Sequence, residues 1–201
     1  MEPNSTENQQ EDNKSPSMKQ DIERLKQIDP EFLTSLDQEL EKGLPLVEKA
    51  LHSIKKLELK DMVELKSFMK PPEEVFEVLC ALMYLLAGNT PESFIKADEK
   101  KNPVDLTWQA CKMMLKDASS FFKYTEKVTD WIHEEKITFE MTIPVRNYLE
   151  KPWFNVENLK KKSIGAAKIG EFVRNMIEYF DLFREVRAKL RARVKEPERD
   201  E

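Results

Sequence analysis

The sequence predicts an all-α protein: an antiparallel two-helix coiled-coil stalk carrying a small helical-bundle tip. Only four glycines occur in 201 residues, and 35% of residues are charged against 40% apolar, a balance suited to helices with much exposed surface. No apolar–polar alternation is long enough to build a sheet. Two apolar stripes with gaps of three and four lie near opposite ends of the chain, the spacing of one helix face.

Residues 1–20 are polar, without apolar periodicity, and read as a disordered tail. The outgoing stalk helix is expected over residues 21–70. Its stripe is Leu33, Leu36, Leu40, Leu44, Val47, Leu51 and Ile54, and Pro45 inside it marks a kink or a fresh helix start. Pro71 and Pro72 end that helix and open another, because the amide protons they lack are not needed in a first helical turn. Residues 71–170 read as a helical tip of short helices with polar breaks. Its core candidates are Trp108, Cys111, Met114, Leu115, Phe122, Val128, Trp131 and Ile132. The returning helix over 171–194 carries Phe172, Met176, Tyr179, Phe183, Val186, Leu190 and Val194, followed by a charged C-terminal tail, 195–201. A single stripe is unstable alone in water, so the two stripes are expected to cover each other.

Little in the chain points to chemistry. The four glycines form no phosphate-binding loop, no Gly-x-Ser-x-Gly elbow occurs, and the two histidines stand outside any metal-ligand spacing. "HEEK" at His133 lacks a second histidine four residues on and reads as a solvated helix end. Cys80 and Cys111 lie in apolar contexts and read as reduced core thiols. No enzyme, cofactor or metal is expected. The longest apolar run, Val78 to Ala87, is too short to span a bilayer. The net charge of −5 argues against a nucleic-acid binder. The densest basic patch is Lys160, Lys161 and Lys162, followed by Lys168, which reads either as a solvated stretch before a helix or as contact with an acidic surface.

The order of these pieces resembles the stalk and microtubule-binding domain of dynein heavy chains, with an axonemal flavour. The resemblance is carried by "GLPLVEKALHSIKKLELKDMVELKSFMKPP", by Trp108, Lys112, Leu115 and Asp117, by "VRNYLEKPWFNVENL", and by "EFVRNMIEYF". It covers about three quarters of the chain in collinear order. It implies a stalk–tip junction at Pro71 and Pro72 and a tubulin partner met by basic tip residues. Arg146 and Arg174 match basic family positions. It implies a cytoplasmic, cytoskeletal location, extending to the cilium and axoneme. The chain departs from the family at Phe76 and Glu171, where lysines are usual, and through Glu73, Glu74 and Glu77 after the prolines.

Those departures predict weak microtubule binding by Arg146, Arg174, Lys160, Lys161, Lys162 and Lys168. With 201 residues there is no room for the ATPase ring, so the sequence reads as a truncated product of a longer heavy chain or a short stand-alone derivative, and the start methionine followed by a tail unlike stalk sequence favours a separate product or isoform. The alternative is a helical coiled-coil scaffold that pairs with itself or another coiled coil and has lost microtubule binding.

Overall fold

The computed structural model describes residues 18–195, and among them every regular element is a helix. The spine is the last helix, α11 (Ile164–Lys195), whose 32 residues span about 48 Å. Ten shorter helices precede it: α1 (Met18–Ile28), α2 (Pro30–Glu41), α3 (Leu44–Lys55), α4 (Leu59–Ser67), α5 (Glu73–Leu86), α6 (Trp108–Met114), α7 (Ala118–Glu126), α8 (Val128–His133), α9 (Phe139–Leu149) and α10 (Val156–Lys160). An isolated antiparallel bridge, Ala97 to Pro103, is the extended pairing seen in the described residues.

The segment expected as one outgoing helix, 21–70, is divided into four. α2 begins because Asp29 caps it, accepting from the Phe32 amide at 3.1 Å, with Pro30 in the first turn. α2 stops at Lys42, and α3 restarts at Leu44 with Pro45 in its first turn, the restart that the proline marked. Gly43 sits at this joint because a side chain there has no room: a Cβ would lie 2.6 Å from Leu182 and 2.8 Å from the Tyr179 ring. α4 opens on a capping box in which Glu58 accepts from the third-residue amide and Asp61 from the Glu58 amide at 2.9 Å.

α2 and α3 run antiparallel to α11 and lay their stripe along its own, burying Leu36 and Ile54 and half-burying Leu33, Leu40, Val47 and Leu51, whereas Leu44, at the joint between α2 and α3, is exposed. The polar flanks keep the same order, with Asp29 to Arg193 at 2.8 Å and Glu39 to Lys189. α1 turns back at Asp29 and runs parallel to α11. Its Asp21 meets Arg187 at 2.5 Å, and Leu25 joins Leu36, Val186 and Leu190 in a small core. The base of the stalk is therefore three helices thick. Met18, Lys19 and Gln20, expected within the tail, form the first turn of α1; residues 1–17 and 196–201 lie outside the described residues.

The tip is built around α5, with Val75, Val78, Leu79, Ala81, Leu82 and Leu86 fully buried. α9, α6 and α11 pack around it. Gly88 ends α5 at φ 73°, a left-handed position pressed against the Lys101 side chain, where a Cβ has no space. Cys80 and Cys111 are buried free thiols, and the neighbouring Cys80 and burial together push the Cys111 thiol far up.

The end of α8 is more than a solvated terminus. Glu135 adopts φ 57°, unusual for a residue with a side chain, and this aims its carboxylate at both Arg187 (2.5 Å) and Arg191 (3.0 Å). The His133 ring stacks on Phe183 at 5.4 Å and shares a 2.5 Å hydrogen bond with Tyr179. Burial holds the His133 imidazole below its ordinary value, with the Asp130 charge opposing. The unfolded chain then binds more protons than the folded one below about pH 6.5, so stability falls as pH drops from there through the folded value. Thermal melts from pH 7 to pH 5 should show a loss that His133→Gln abolishes; an identical loss in both proteins would remove His133 from the account.

Candidate functional site

The junction between stalk and tip is held by the residue that follows the polar loop. Trp108 Nε1 donates to the Phe68 carbonyl at 2.8 Å, and Phe76 packs edge-on against the same indole at 6.4 Å. Pro71 and Pro72 then start α5, whose carboxylates point back across the tip. Glu77 meets Lys151 at 2.5 Å and Glu74 meets Lys162 at 3.1 Å. The Glu74 carboxyl is held below its usual range, chiefly by its own backbone amide and also by Lys162.

The six basic candidates divide into two kinds. Arg146 is turned inward: it grips Asp181 with two bonds of 2.8 and 2.6 Å, donates to Thr142 at 3.2 Å and lies over the Phe139 ring. Arg174 donates to the carbonyls of Leu149 (3.2 Å) and Phe154 (2.5 Å), stapling the turn after α9 to α11. Lys168 donates to the Lys56 carbonyl at 2.7 Å and pairs with buried Asp61 at 2.6 Å. Burial pushes the Asp61 carboxyl up, but the Lys168 bond and the Glu58 amide outweigh it and leave it below its ordinary value. These three cations tie α9, the turn after it, and α4 to the spine.

Lys160, Lys161 and Lys162 remain exposed at the turn between α10 and α11. Asn155 caps α10 by accepting from the Asn158 amide at 2.9 Å, and this fixes where the lysines fall. The Lys162–Glu74 pair places that turn beside the double proline, about ninety residues earlier in the chain. A Cβ at Gly165 would lie 3.0 Å from Leu65 and 3.2 Å from Asp61, so α11 starts directly on α4. The same end of the molecule therefore gathers the lysine turn, Lys70, nearly fully exposed Met69 and exposed Ile164. It is a mixed basic and apolar surface with no nucleophile, base and acid assembled on it. Among the described residues no group of three or more His, Cys, Asp or Glu could hold a metal ion, and no helix is long and apolar enough to cross a membrane.

Residues that organise the molecule but carried no sequence signal are Asp181, Asp21 and Glu135. Each is one carboxylate among many, paired with an arginine 35, 166 or 52 positions away.

Comparison with known proteins agrees with this architecture. The profile described as "MT: Microtubule-binding stalk of dynein motor" matches residues 5–199. The chain is 29% identical over 155 residues to the dynein alpha chain, flagellar outer arm, of Chlamydomonas reinhardtii, covering 77% of this chain and 3% of that one. It is 28% identical over 156 residues to human dynein axonemal heavy chain 9, covering 78% and 3%. The chain thus spans only a few per cent of the length of these relatives. The fold matches a solved structure titled "Microtubule Binding Domain of DYNEIN-C" with a TM-score of 0.53 and 24% identity, covering 81% of this chain and 97% of that one. A profile match over nearly the whole length, axonemal relatives and the shared all-α fold lead to one conclusion: the chain belongs to the family of dynein microtubule-binding stalks.

Proposed function

We propose that this chain is a non-enzymatic stalk-tip module that binds microtubules weakly through Lys160, Lys161 and Lys162. The observation that carries this reading is the division of the basic candidates. Arg146, Arg174 and Lys168 are held by internal bonds, whereas Lys160, Lys161 and Lys162 are exposed beside the proline junction, Lys162 pairing there with Glu74. The neighbouring helix opens with Glu73 and Glu74, and Phe76 is packed against Trp108, so α5 adds little positive charge to that face. Exposed charge contacts are each worth about 0.5–1 kcal/mol, which keeps a three-lysine contact weak and salt-sensitive.

Co-sedimentation with stabilised microtubules at low and moderate salt tests this. The chain should pellet at low salt, and the triple variant Lys160→Ala, Lys161→Ala, Lys162→Ala should bind roughly ten- to a hundredfold more weakly. Absence of pelleting at low salt would remove the microtubule claim; unchanged pelleting of the variant would remove the lysine turn. The axonemal relatives favour a cytoskeletal location at cilia. The scaffold alternative needs an open seam. In the described residues α11 covers the α2–α3 stripe apart from exposed Leu44, and α1 covers the base of α11, which favours a monomer in sedimentation equilibrium.

A further inference from the structure

A groove of about 640 Å³ lies between the C-terminal half of α11 and the segment joining α8 to α9. One wall is a cationic row in which Arg184, Arg187, Arg191 and Lys195 recur at steps of three and four residues, over about 16 Å of α11. The opposite wall is apolar, with Ile137 and Phe139, and exposed Ile143, one turn beyond Phe139 on α9, prolongs it. Exposed Ala188 and Ala192 form a shallow floor. Among the described residues Glu135 is the one acid lining the groove, and its two oxygens are taken by Arg187 and Arg191. Asp21 also pairs with Arg187, whereas Arg184 and exposed Lys195 form no ion pair among the described residues. The Arg184 guanidinium lies over the Phe139 ring at 4.2 Å and near that of Phe180 at 5.8 Å. Stacking of this kind orients the guanidinium and leaves its in-plane N–H donors open to a carboxylate. Glu140 is close enough to act on the Arg184 charge, but its carboxylate accepts from its own amide and from Thr138. In a chain of net charge −5, the row is a local concentration of positive charge beside an apolar wall.

We propose that this groove receives an amphipathic helix of a partner protein, with carboxylates along one edge and apolar side chains along the next. Charge complementarity selects the acids. Two helices lying side by side share one rise per residue, so carboxylates at steps of three and four meet Arg184, Arg191 and Lys195 in turn. The apolar edge of the incoming helix then covers Phe139 and Ile143. The alanine floor lets it come close, because the distance between packed helices is set by the side chains at the contact. A helix fits better than an extended segment: the row runs along one helix for three turns, and no sheet edge among the described residues offers backbone pairing. Arg184 lies about 30 Å along α11 from Ile164, so this surface is separate from the lysine turn and serves a different partner. Exposed ion pairs are individually weak and screened by salt, which makes the attachment reversible.

The probe is a fluorescein-labelled, end-capped helical peptide of about 15 residues, long enough to span the row, with glutamates at steps of three and four and leucines beside them. Added to the full chain, it should bind saturably at about 0.05 M salt and about tenfold more weakly at about 0.5 M, read by fluorescence anisotropy. The same peptide with lysine for every glutamate should not bind. Amide shifts should centre on Thr138, Ala188 and Ala192, which line the groove. The variant Arg184→Glu, Lys195→Glu should weaken binding about tenfold or more. Ala188→Trp, which fills the exposed floor without altering charge, should also weaken it about tenfold. Circular dichroism melts report that both variants are folded. The triple alanine variant of the lysine turn should bind the peptide as the parent does, which keeps this result independent of the microtubule assay. Absence of saturable binding, equal binding of the lysine peptide, or binding unmoved by the charge reversal or by Ala188→Trp would overturn the proposal. Equal binding of a scrambled peptide that has lost the helical spacing would show that charge alone is read, and would overturn the helix. Shifts at the same amides that grow with protein concentration in the absence of peptide would assign the groove to a second copy and overturn it equally.

Discussion

Replacing Arg187 by methionine is expected to release α1 from the stalk. The guanidinium is 6% exposed and joins three elements: Asp21 of α1 at 2.5 Å, Glu135 after α8 at 2.5 Å, and its own helix α11. Removing one partner of a buried pair leaves the other charge without compensation, at a cost of about 3–5 kcal/mol. Asp21, itself 6% exposed at its side chain, would bear that cost if α1 stayed docked. It need not stay: eleven residues with one fully buried leucine, Leu25, have little else holding them, and so short a helix is marginal alone. Hydrogen exchange should therefore show α1 losing protection while the tip half of α11 keeps it. The double variant Asp21→Asn, Arg187→Met should regain part of the loss, because the two sites share one interaction. Full protection of α1 in the single variant would show that its apolar contacts alone hold it.

Phe172→Ala is expected to have the largest effect in the tip. The ring is fully buried where α11 passes through the main core, and truncating a buried phenylalanine costs about 3–5 kcal/mol through lost burial and the cavity left behind. For a domain of this size that corresponds to a fall of roughly 10 °C in the melting temperature. Unlike the Arg187 change, it cannot be relieved by undocking one short helix, because α11 is continuous through both core clusters. The unfolding midpoint in denaturant should shift for every probe together. A drop below about 1 kcal/mol would mean that the neighbouring side chains close the gap.

Much of the core was legible from spacing alone. Every member of the returning stripe from Phe172 to Leu190 is buried, and so are Cys111, Met114, Leu115, Val128, Trp131 and Ile132 in the tip, whereas Trp108 and Phe122 are half-buried. Other features were present in the sequence as weak signals. Asp29 before Pro30 is a helix start, yet nothing in those two residues says that the preceding helix folds back along α11. The spine begins at Ile164, eight residues before its stripe, because Gly165, Ala166, Ala167 and Gly170 carry little hydrophobic periodicity. Their smallness is the reason they are there: it lets Leu65 and Leu159 approach the helix within about a van der Waals contact or less.

The sequence by itself determined the helical class, the two complementary stripes, the break at Pro71 and Pro72, and which residues are basic. Those follow from local rules, namely side-chain period, backbone dihedral limits and amide supply, which act over a few residues. Only the tertiary structure decided which charges are free. Arg146, Arg174 and Lys168 read as surface cations until Asp181, the carbonyls of Leu149 and Phe154, and Asp61 come within hydrogen-bond reach. An ion pair forms wherever the fold brings two groups within a few ångströms, and that separation is set by packing of the whole chain rather than by any window of sequence.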